Sequence, residues 1–271
     1  MRAAVLGKPI SHSRSPDLHL AAYAALGLVG WTYERLECDA DSLPALVDGL
    51  DDSYVGLSVT MPGKFAALRY ATEVSDRAAL VGSANTLVRT ERGWYADCTD
   101  IDGMTGALTE IGADFAVRPR AVVIGAGGTA MPTLAALGTA GVRHLTVVAR
   151  DRDRALRTFE VADELGMAVD YLPFEASPAL TDAAVDAAVT ISTVPAAASA
   201  TIAAAIAPAE RVIDVIYAPW PTPLADAVTA AGGIVVGGLV MLLNQAYRQV
   251  ELFTGLPAPK AAMAAALDDS R

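Results

Sequence analysis

The stretch from Ala121 to Ala130 reads AVVIGAGGTA and decides the fold. Its apolar first part predicts a buried strand, and its glycines predict a tight turn into a helix of small residues that runs to about Ala140. Strand and helix patterns then alternate four more times, as far as a strand at 233–236. This alternation predicts an α/β fold with a doubly wound parallel sheet.

The glycine turn also predicts a ligand. Between a buried strand and a helix, backbone N–H groups and the helix N-terminus can hold a pyrophosphate. The turn consists of Gly125, Ala126, Gly127, Gly128, Thr129 and Ala130. In this strand–turn–helix context we expect dinucleotide binding, and the alternative is a tight turn without a ligand.

The end of the next strand bears on which dinucleotide is bound. Arg150 and Arg154 follow Ala149. We expect the two arginines to lie one helical turn apart, where two guanidinium groups suit a phosphate, and this favours NADP. Asp151 suits the ribose hydroxyl of NAD and keeps that cofactor open, and a solvated helix start with internal ion pairs is a third interpretation.

A second informative stretch, Leu57–Lys64, reads LSVTMPGK. It predicts a strand that stops at a Pro-Gly turn, so that Lys64 lies at the carboxyl end of a strand, where α/β sheets place ligands. Ser58 and Thr60 lie on the same strand. The alternative is a surface lysine in a turn, the commonest environment of this residue type.

Further polar residues are candidates for a site, and each has a structural alternative. Ser13 and Ser15 are two apart in the loop after the first strand and can both reach one carboxylate, but Ser15 can instead cap the helix that follows. For Asn85 the alternative is a turn residue, and for Gln245 it is a polar position on an exposed helix face.

The composition limits the class of protein. The 271 residues are 53% hydrophobic and 19% charged, which predicts a folded chain with a substantial core. The net charge is −11, so we expect neither nucleic acid nor an anionic membrane as a partner. An acidic protein that binds an anion needs local positive charge, which makes single Lys and Arg residues informative.

Two cysteines, Cys38 and Cys98, show no CxxC pattern and have no histidine at metal-ligand spacing. We therefore expect no disulfide framework, no metal site and a reducing, cytoplasmic location. The apolar run Met1–Gly7 is shorter than that of a signal peptide, so we expect none.

Three uncharged stretches, at 121–142, 187–209 and 227–247, are long enough to be considered as membrane spans. Each contains glycine clusters or proline and splits into a strand, a turn and a helix. We interpret them as parts of the fold, because buried parallel strands read as continuous apolar runs.

Seven motifs together resemble the shikimate dehydrogenase family, over nearly the whole chain. In chain order they are Ser13–Pro16, Ser58–Lys64, Ala84–Thr86, Thr99–Gly103, Gly125–Gly128, Asp214–Leu224 and Gly238–Gln245. Each motif is weak alone, and their common order and spacing make the set specific.

The resemblance implies an N-terminal α/β substrate-binding domain at 1–102, completed by C-terminal helices at 238–271, and a Rossmann-type NADP-binding domain at 103–237. It implies an oxidoreductase that reversibly reduces 3-dehydroshikimate to shikimate with NADPH, in the shikimate pathway to chorismate and the aromatic amino acids. Its small-molecule substrate and cofactor are the expected partners, and the chain is expected to be a monomer or a homodimer.

The resemblance also implies the roles of particular residues. The catalytic pair would be Lys64 and Asp100. Substrate contacts would come from Ser13, Ser15, Ser58, Thr60, Asn85, Tyr217 and Gln245. Cofactor contacts would come from the turn Gly125–Ala130 and from Ala149, Arg150, Arg154, Thr193, Val215 and Gly238.

Three positions depart from the common pattern of the family. Ser58 and Cys98 each stand where asparagine is usual, and Met131 stands where many members have arginine. Two other functions stay open: an NAD-dependent quinate/shikimate dehydrogenase, which Asp151 would suit, and a non-catalytic nucleotide-binding regulatory relative, which should lack Lys64 or Asp100.

Overall fold

Two six-stranded sheets form the framework of the computed structural model, which describes residues 1–268. Each sheet belongs to one of two compact units. The first unit contains residues 1–100 and the chain from Leu242 onward, and the second contains Ile101–Met241. The chain is therefore an α/β protein, as its sequence predicts.

The first sheet is mixed, with strand order β2-β1-β3-β5-β6-β4. Its strands are β1 (Arg2–Gly7), β2 (Thr32–Glu37), β3 (Tyr54–Val59), β4 (Glu73–Val74), β5 (Thr86–Thr90) and β6 (Gly93–Asp97). Strand β1 is parallel to β2 and β3, whereas β5 is antiparallel to β3 and β6. Strands β3 and β6 therefore run in the same direction, and their carboxyl ends lie at one edge of the sheet.

Helices accompany this sheet along the chain. They are α1 (Ser15–Ala25), α2 (Leu43–Asp48), α3 (Lys64–Tyr70) and α4 (Asp76–Val81). Helix α5 (Asp100–Ile111) begins at the last residue of this part of the first unit, and its remaining residues belong to the second unit. Two more close the described chain, α12 (Gly238–Thr254) and α13 (Lys260–Asp268), and α13 packs against α1. The core of this unit contains Leu6, Leu57 and Leu87, whose side chains are fully buried.

The second sheet is parallel throughout, with strand order β12-β11-β10-β7-β8-β9. Its strands are β7 (Arg120–Ile124), β8 (His144–Ala149), β9 (Ala168–Pro173), β10 (Val189–Ser192), β11 (Arg211–Asp214) and β12 (Ile234–Gly237). Its helices are α6 (Ala130–Ala140), α7 (Leu156–Glu164), α8 (Pro178–Asp186), α9 (Ala196–Ser199), α10 (Ala203–Ile206) and α11 (Pro223–Ala230). The strand order reverses between β7 and β10, and a doubly wound sheet binds ligands at such a reversal.

The apolar runs that could have been membrane spans are buried strands and short helices of this second unit, except that 238–247 lies in α12. Within residues 1–268, no helix is both long and apolar enough to cross a bilayer. The interpretation of these runs as parts of the fold agrees with both observations.

Two local predictions are wrong. Ser15 does not cap α1, because it is the first residue of that helix and its own N–H donates to the Ser13 hydroxyl at 3.3 Å. Arg150 and Arg154 do not lie on one helix, because α7 begins only at Leu156. A single 3-10 turn, Asp153–Ala155, precedes it.

Candidate active site

Lys64 and Asp100 form a buried ion pair, with Nζ 2.6 Å from Oδ2. Their side chains are 13% and 4% exposed. Lys64 begins α3, just after β3, and Asp100 begins α5, just after β6. Because β3 and β6 end at the same edge of the sheet, the fold brings together two residues that are 36 positions apart.

The protonation state of Lys64 is determined by burial and by the neighbouring carboxylate. Burial alone would lower the pKa of Lys64, but the negative charge of Asp100 and the hydrogen bond to it outweigh burial, so the pKa lies above its usual value. Lys64 is therefore an ammonium group at neutral pH, and it is held out of water beside one carboxylate.

Asn85 connects this pair to α12. Its amide Nδ2 donates to Asp100 Oδ1 at 3.0 Å and to Gln245 Oε1 at 2.7 Å. Its Oδ1 accepts the backbone N–H of Thr99 at 2.7 Å. Asn85 is 2% exposed, so it is a buried connecting residue and not a residue of a surface turn.

Gln249 is a member of the site that the sequence analysis missed. Its Nε2 donates to Thr86 Oγ1 at 3.0 Å and to the carbonyl of Asn85 at 3.3 Å. Its Oε1 accepts from Ser58 Oγ at 2.8 Å. Gln245 and Gln249 are four residues apart on an amphipathic helix, so they lie on the same face. This spacing from the predicted site residue Gln245 is the sequence signal that indicates Gln249.

Tyr33 was missed as well. Its hydroxyl donates to Ser58 Oγ at 2.7 Å, and its ring stacks on His19 with centroids 4.1 Å apart. His19 is fully buried, and burial lowers its pKa to about 4, so it is neutral and supports the ring. Ser58 thus uses its hydroxyl both as acceptor and as donor within the protein.

Ser13, Ser15 and Thr60 lie where strands β1 and β3 end. The carbonyl of Ser13 accepts two hydrogen bonds from Arg35, at 3.0 Å from Nε and 2.6 Å from Nη2, which fixes the loop. The N–H of Thr60 donates to Leu6 O at 2.8 Å, and its methyl group occupies the space that a side chain at Gly7 would need.

Tyr217 belongs to the second unit, where it lies half-buried in the segment after β11. In that segment Asp214 accepts a hydrogen bond from Thr222 Oγ1 at 2.7 Å and another from the N–H of Ile216 at 3.2 Å. These bonds tie the two ends of the segment together.

The glycine turn has the geometry of an anion cradle. Gly125 has φ +108°, and a side chain there would collide with Thr193 Oγ1, so only glycine fits. Around Gly127 and Gly128 the positions of an added Cβ face open space. Helix α6 begins at Ala130 without a side-chain cap or an acidic residue in its first turn, which leaves a partial positive charge for an anion.

Three other predicted cofactor residues, Thr193, Val215 and Gly238, directly follow the carboxyl ends of β10, β11 and β12. Thr193 follows β10 and donates to Ile124 O at 2.8 Å, and the N–H of Val215 donates to Ser192 O at 3.1 Å. Gly238 approaches the carbonyl of Val215 so closely that a Cβ would collide with it. Met131 is buried in α6.

Asp151 has a role that its sequence position did not indicate. Its Oδ1 accepts the N–H of Asp153 at 2.9 Å and of Arg154 at 3.4 Å, which folds the chain into the 3-10 turn. Its Oδ2 lies 3.5 Å from the guanidinium of Arg154, whose side chain is 85% exposed. Arg150 is exposed at the end of β8, next to Ala149.

Cys98, which occupies one of the three departing positions, is a fully buried free thiol. Burial raises its pKa far above the usual value, so it is a neutral packing group beside the ion pair.

Comparison with known proteins gives a consistent result along the chain. The family model of the shikimate dehydrogenase substrate binding domain matches residues 5–87, and that of the shikimate 5'-dehydrogenase C-terminal domain matches residues 238–267. A curated relative, the NADP(+) shikimate dehydrogenase of Anaeromyxobacter sp. strain Fw109-5, is 38% identical over 276 residues. That alignment covers 97% of this chain and 94% of the relative.

Two solved structures are similar over almost their full length. Shikimate dehydrogenase of Mycobacterium tuberculosis is 55% identical, with a TM-score of 0.93 and 99% of both chains covered. Shikimate 5-dehydrogenase of Mycobacterium fortuitum is 57% identical, with a TM-score of 0.88, and 98% of this chain and 97% of that chain are covered.

Proposed function

Since the chain belongs to the shikimate dehydrogenase family, we propose that it interconverts 3-dehydroshikimate and shikimate with NADPH and NADP+. The observation that carries this proposal is the buried pair of Lys64 and Asp100, 2.6 Å apart. The reaction is a step of the shikimate pathway, which leads to chorismate and the aromatic amino acids.

Reduction of a ring ketone needs a hydride at carbon and a proton at oxygen. Bound NADPH supplies the hydride. The ammonium of Lys64 polarises the carbonyl oxygen, stabilises the negative charge that develops on it and gives up the proton. In the oxidation direction, neutral Lys64 takes the proton of the substrate hydroxyl.

Asp100 acts on Lys64 and not directly on the carbonyl oxygen of the substrate. Its carboxylate keeps the lysine charged in a buried place, and its hydrogen bond to Lys64 aims the ammonium group. Asn85 holds the other carboxylate oxygen, so both oxygens of Asp100 have a partner before substrate arrives. The pair is thus preorganised, which removes the cost of aligning it during the reaction.

A polyol acid needs a wall of hydrogen-bonding groups, and the first unit offers several. We assign the substrate carboxylate to Ser13 and Ser15, and the ring hydroxyls to Thr60, Asn85 and Gln245, and we propose Tyr217 as a further substrate contact. Gln245 accepts from Asn85 through Oε1, which leaves its NH2 group to donate to substrate. Ser58 is engaged by Tyr33 and Gln249, so we assign it to the support of this wall.

The second unit is the proposed nucleotide-binding domain, within residues 103–237. The turn Gly125–Ala130 would hold the pyrophosphate, with Ala149, Thr193, Val215 and Gly238 as its neighbours. Arg150 and Arg154 would bind the 2′-phosphate of NADP. Asp151 is already bonded to two backbone N–H groups and is close to Arg154, so it does not favour NAD over NADP.

The cytoplasm is the proposed compartment, because both cysteines are buried free thiols. The regulatory alternative loses its support, since it requires the absence of Lys64 or Asp100, and both are present as a pair.

The test is an initial-rate assay of shikimate and quinate oxidation, each with NADP+ and NAD+. We expect the highest kcat/KM with shikimate and NADP+. A preference for quinate and NAD+ would overturn the proposal in favour of the quinate alternative, and no oxidation of either substrate would overturn it altogether.

A further inference from the structure

We propose that Gln249 is a positioning residue of the reaction, which acts together with Thr99 to hold Asn85 where it supports Asp100 and Lys64. This inference rests on the proposed function. Among the described hydrogen bonds Gln249 has none to Lys64 or Asp100, and it lies 163 positions or more along the sequence from each of its three partners, Ser58, Asn85 and Thr86.

A continuous path of hydrogen bonds connects Gln249 to the ion pair. Gln249 Nε2 donates to Thr86 Oγ1 at 3.0 Å, and Thr86 Oγ1 in turn donates to Asn85 Oδ1 at 3.0 Å. Asn85 Nδ2 then donates to Asp100 Oδ1 at 3.0 Å. Gln249 also binds the main-chain carbonyl of Asn85, so it holds this residue at two points.

The directions of the bonds that join Tyr33, Ser58 and Gln249 follow from their chemistry. Burial raises the pKa of Tyr33, so the phenol keeps its proton and donates it to Ser58. Ser58 must then donate its own proton to Gln249 Oε1. With its oxygen committed to Ser58, Gln249 points its NH2 group at Thr86 and Asn85, and a flipped amide would oppose oxygen to oxygen.

The side chains of this hydrogen-bond path are buried, so water cannot take the place of a protein partner. Ser58, Asn85, Thr86 and Gln249 are all less than 5% exposed, so no solvent can replace a lost partner. Loss of the Gln249 amide would remove one of the two described N–H donors to the Asn85 carbonyl, the other being Val59 N–H at 2.7 Å. It would also remove the amide donor to Thr86 Oγ1, whose other partners are Thr99 Oγ1 and Asn85 Oδ1. The N–H of Thr99 would still bind Asn85 Oδ1, but the main chain of Asn85 and the Thr86 hydroxyl would be less firmly held. The Asn85 amide would then shift relative to Asp100 and misalign Lys64.

The main test compares Gln249→Met with Val250→Ala. Methionine has a similar length but cannot hydrogen bond. Val250 is the next residue on α12, is fully buried, and loses only packing when truncated, so it is the matched control for stability. We expect Gln249→Met to lower kcat about 10-fold or more, since small displacements of catalytic groups are costly. KM for NADP+ should not change, and Val250→Ala should stay within about 2-fold of the original kcat.

A double-mutant cycle with Thr86→Val separates positioning from general damage. Valine keeps the shape of threonine and removes the hydroxyl through which the path runs. If Gln249 acts through Thr86, the double variant should lose little more kcat than the worse single variant, because the two changes break one path. The proposal would be overturned if the fold-losses of kcat in the two single variants multiplied in the double variant. It would also be overturned if the kcat of Gln249→Met were no lower than that of Val250→Ala.

The outcomes are distinct. If Gln249→Met does not fold, Thr86→Val alone decides, with the same loss of kcat expected and an unchanged kcat overturning the proposal. If the unaltered chain does not oxidise shikimate, the proposed function and this inference both fail. If the unaltered chain is active and Gln249→Met is equally active, only the inference fails.

Discussion

Lys64 and Asp100 are each the first residue of a helix, α3 and α5, and their side chains meet at 2.6 Å. A helix N-terminus carries partial positive charge, which favours the carboxylate of Asp100 and disfavours the ammonium of Lys64. The charged form of Lys64 is therefore stabilised by the carboxylate of Asp100. The N-terminus of α3 favours release of the Lys64 proton, and the carboxylate of Asp100 opposes its release. A proton donor requires such a balance.

Replacement of Lys64 by alanine should abolish most turnover. We expect kcat to fall by about 10³-fold, within the range usual for the loss of a general acid, while the Kd of shikimate changes much less. Steady-state rates and a binding titration measure the two quantities. Lys8→Ala is the control, since Lys8 is an exposed lysine paired with Asp39. Turnover that survives Lys64→Ala would remove this residue from the mechanism.

Gln245→Ala should raise KM for shikimate about 5-fold, because the hydrogen bond from the Gln245 NH2 group to substrate is lost. The KM for NADP+ should stay the same. The comparison is Glu251→Ala on the same helix, where Glu251 pairs only with Arg248 at 3.2 Å among the bonds described for its side chain. A silent Gln245→Ala would assign Gln245 to the helix surface.

Arg150→Ala should weaken NADP+ more than NAD+, since only NADP+ carries the phosphate that a guanidinium can bind. We expect KM for NADP+ to rise about 10-fold, the size of one charge-assisted contact, and KM for NAD+ to change little. Arg152→Ala is the control, because the Arg152 guanidinium lies over the ring of Phe159, 5.8 Å from its centroid. Equal weakening of both cofactors would contradict the assignment.

Asp151→Ala tests whether the carboxylate organises the turn or repels phosphate. Because Asp151 accepts two backbone N–H groups of the 3-10 turn, its loss should loosen the segment that carries Arg154 and raise KM for NADP+. Repulsion predicts the opposite change. Asp151→Asn retains the acceptor oxygen and should behave like the original chain, so the two variants together identify the cause.

Arg77 and Asp97 should stabilise the first unit in a pH-dependent way. Burial would raise the pKa of Asp97, but hydrogen bonds from Arg77 and Ser75 outweigh it, and the pKa lies below 3.8. A folded-state pKa below the unfolded one gives stabilisation that is present above about pH 4 and is lost as pH falls through the folded value. Arg77→Met should cost about 3 kcal/mol at pH 7, since it leaves a buried carboxylate without its cation.

Thermal unfolding between pH 2 and pH 7 measures this effect. The difference in Tm between Arg77→Met and the original chain should be largest at neutral pH and should shrink in acid. Arg92→Met is the control, because Arg92 is 83% exposed and its bond to Glu73 is 3.4 Å long. An exposed pair contributes little, so its loss should leave Tm nearly unchanged.

The family and the α/β fold predicted from the sequence are confirmed, and the reason is that their signals are local. Continuous apolar strands and a glycine turn specify the second sheet within short windows of sequence. The turn at 151–155 differs from the predicted helix start because the side chain of Asp151 binds backbone N–H groups that a helix would arrange differently.

The support of the ion pair could not be predicted in the same way. Gln249 contacts Ser58 and Thr86, which are 191 and 163 positions away, so its role exists only after the first sheet and α12 have come together. On its own helix it is one polar residue among several. The proposed roles of the individual site residues therefore remain predictions for the variants described above.

Both amide protons of Asn85 are already committed, one to Asp100 and one to Gln245. A substrate hydroxyl that reaches this amide must take over the proton that Gln245 now receives. Binding at this point is thus an exchange of one acceptor for another, and its net gain is small. An analogue without that hydroxyl leaves Asn85 satisfied by the protein itself, so the enzyme should tolerate deoxy compounds at this ring position and draw its selectivity from the other contacts.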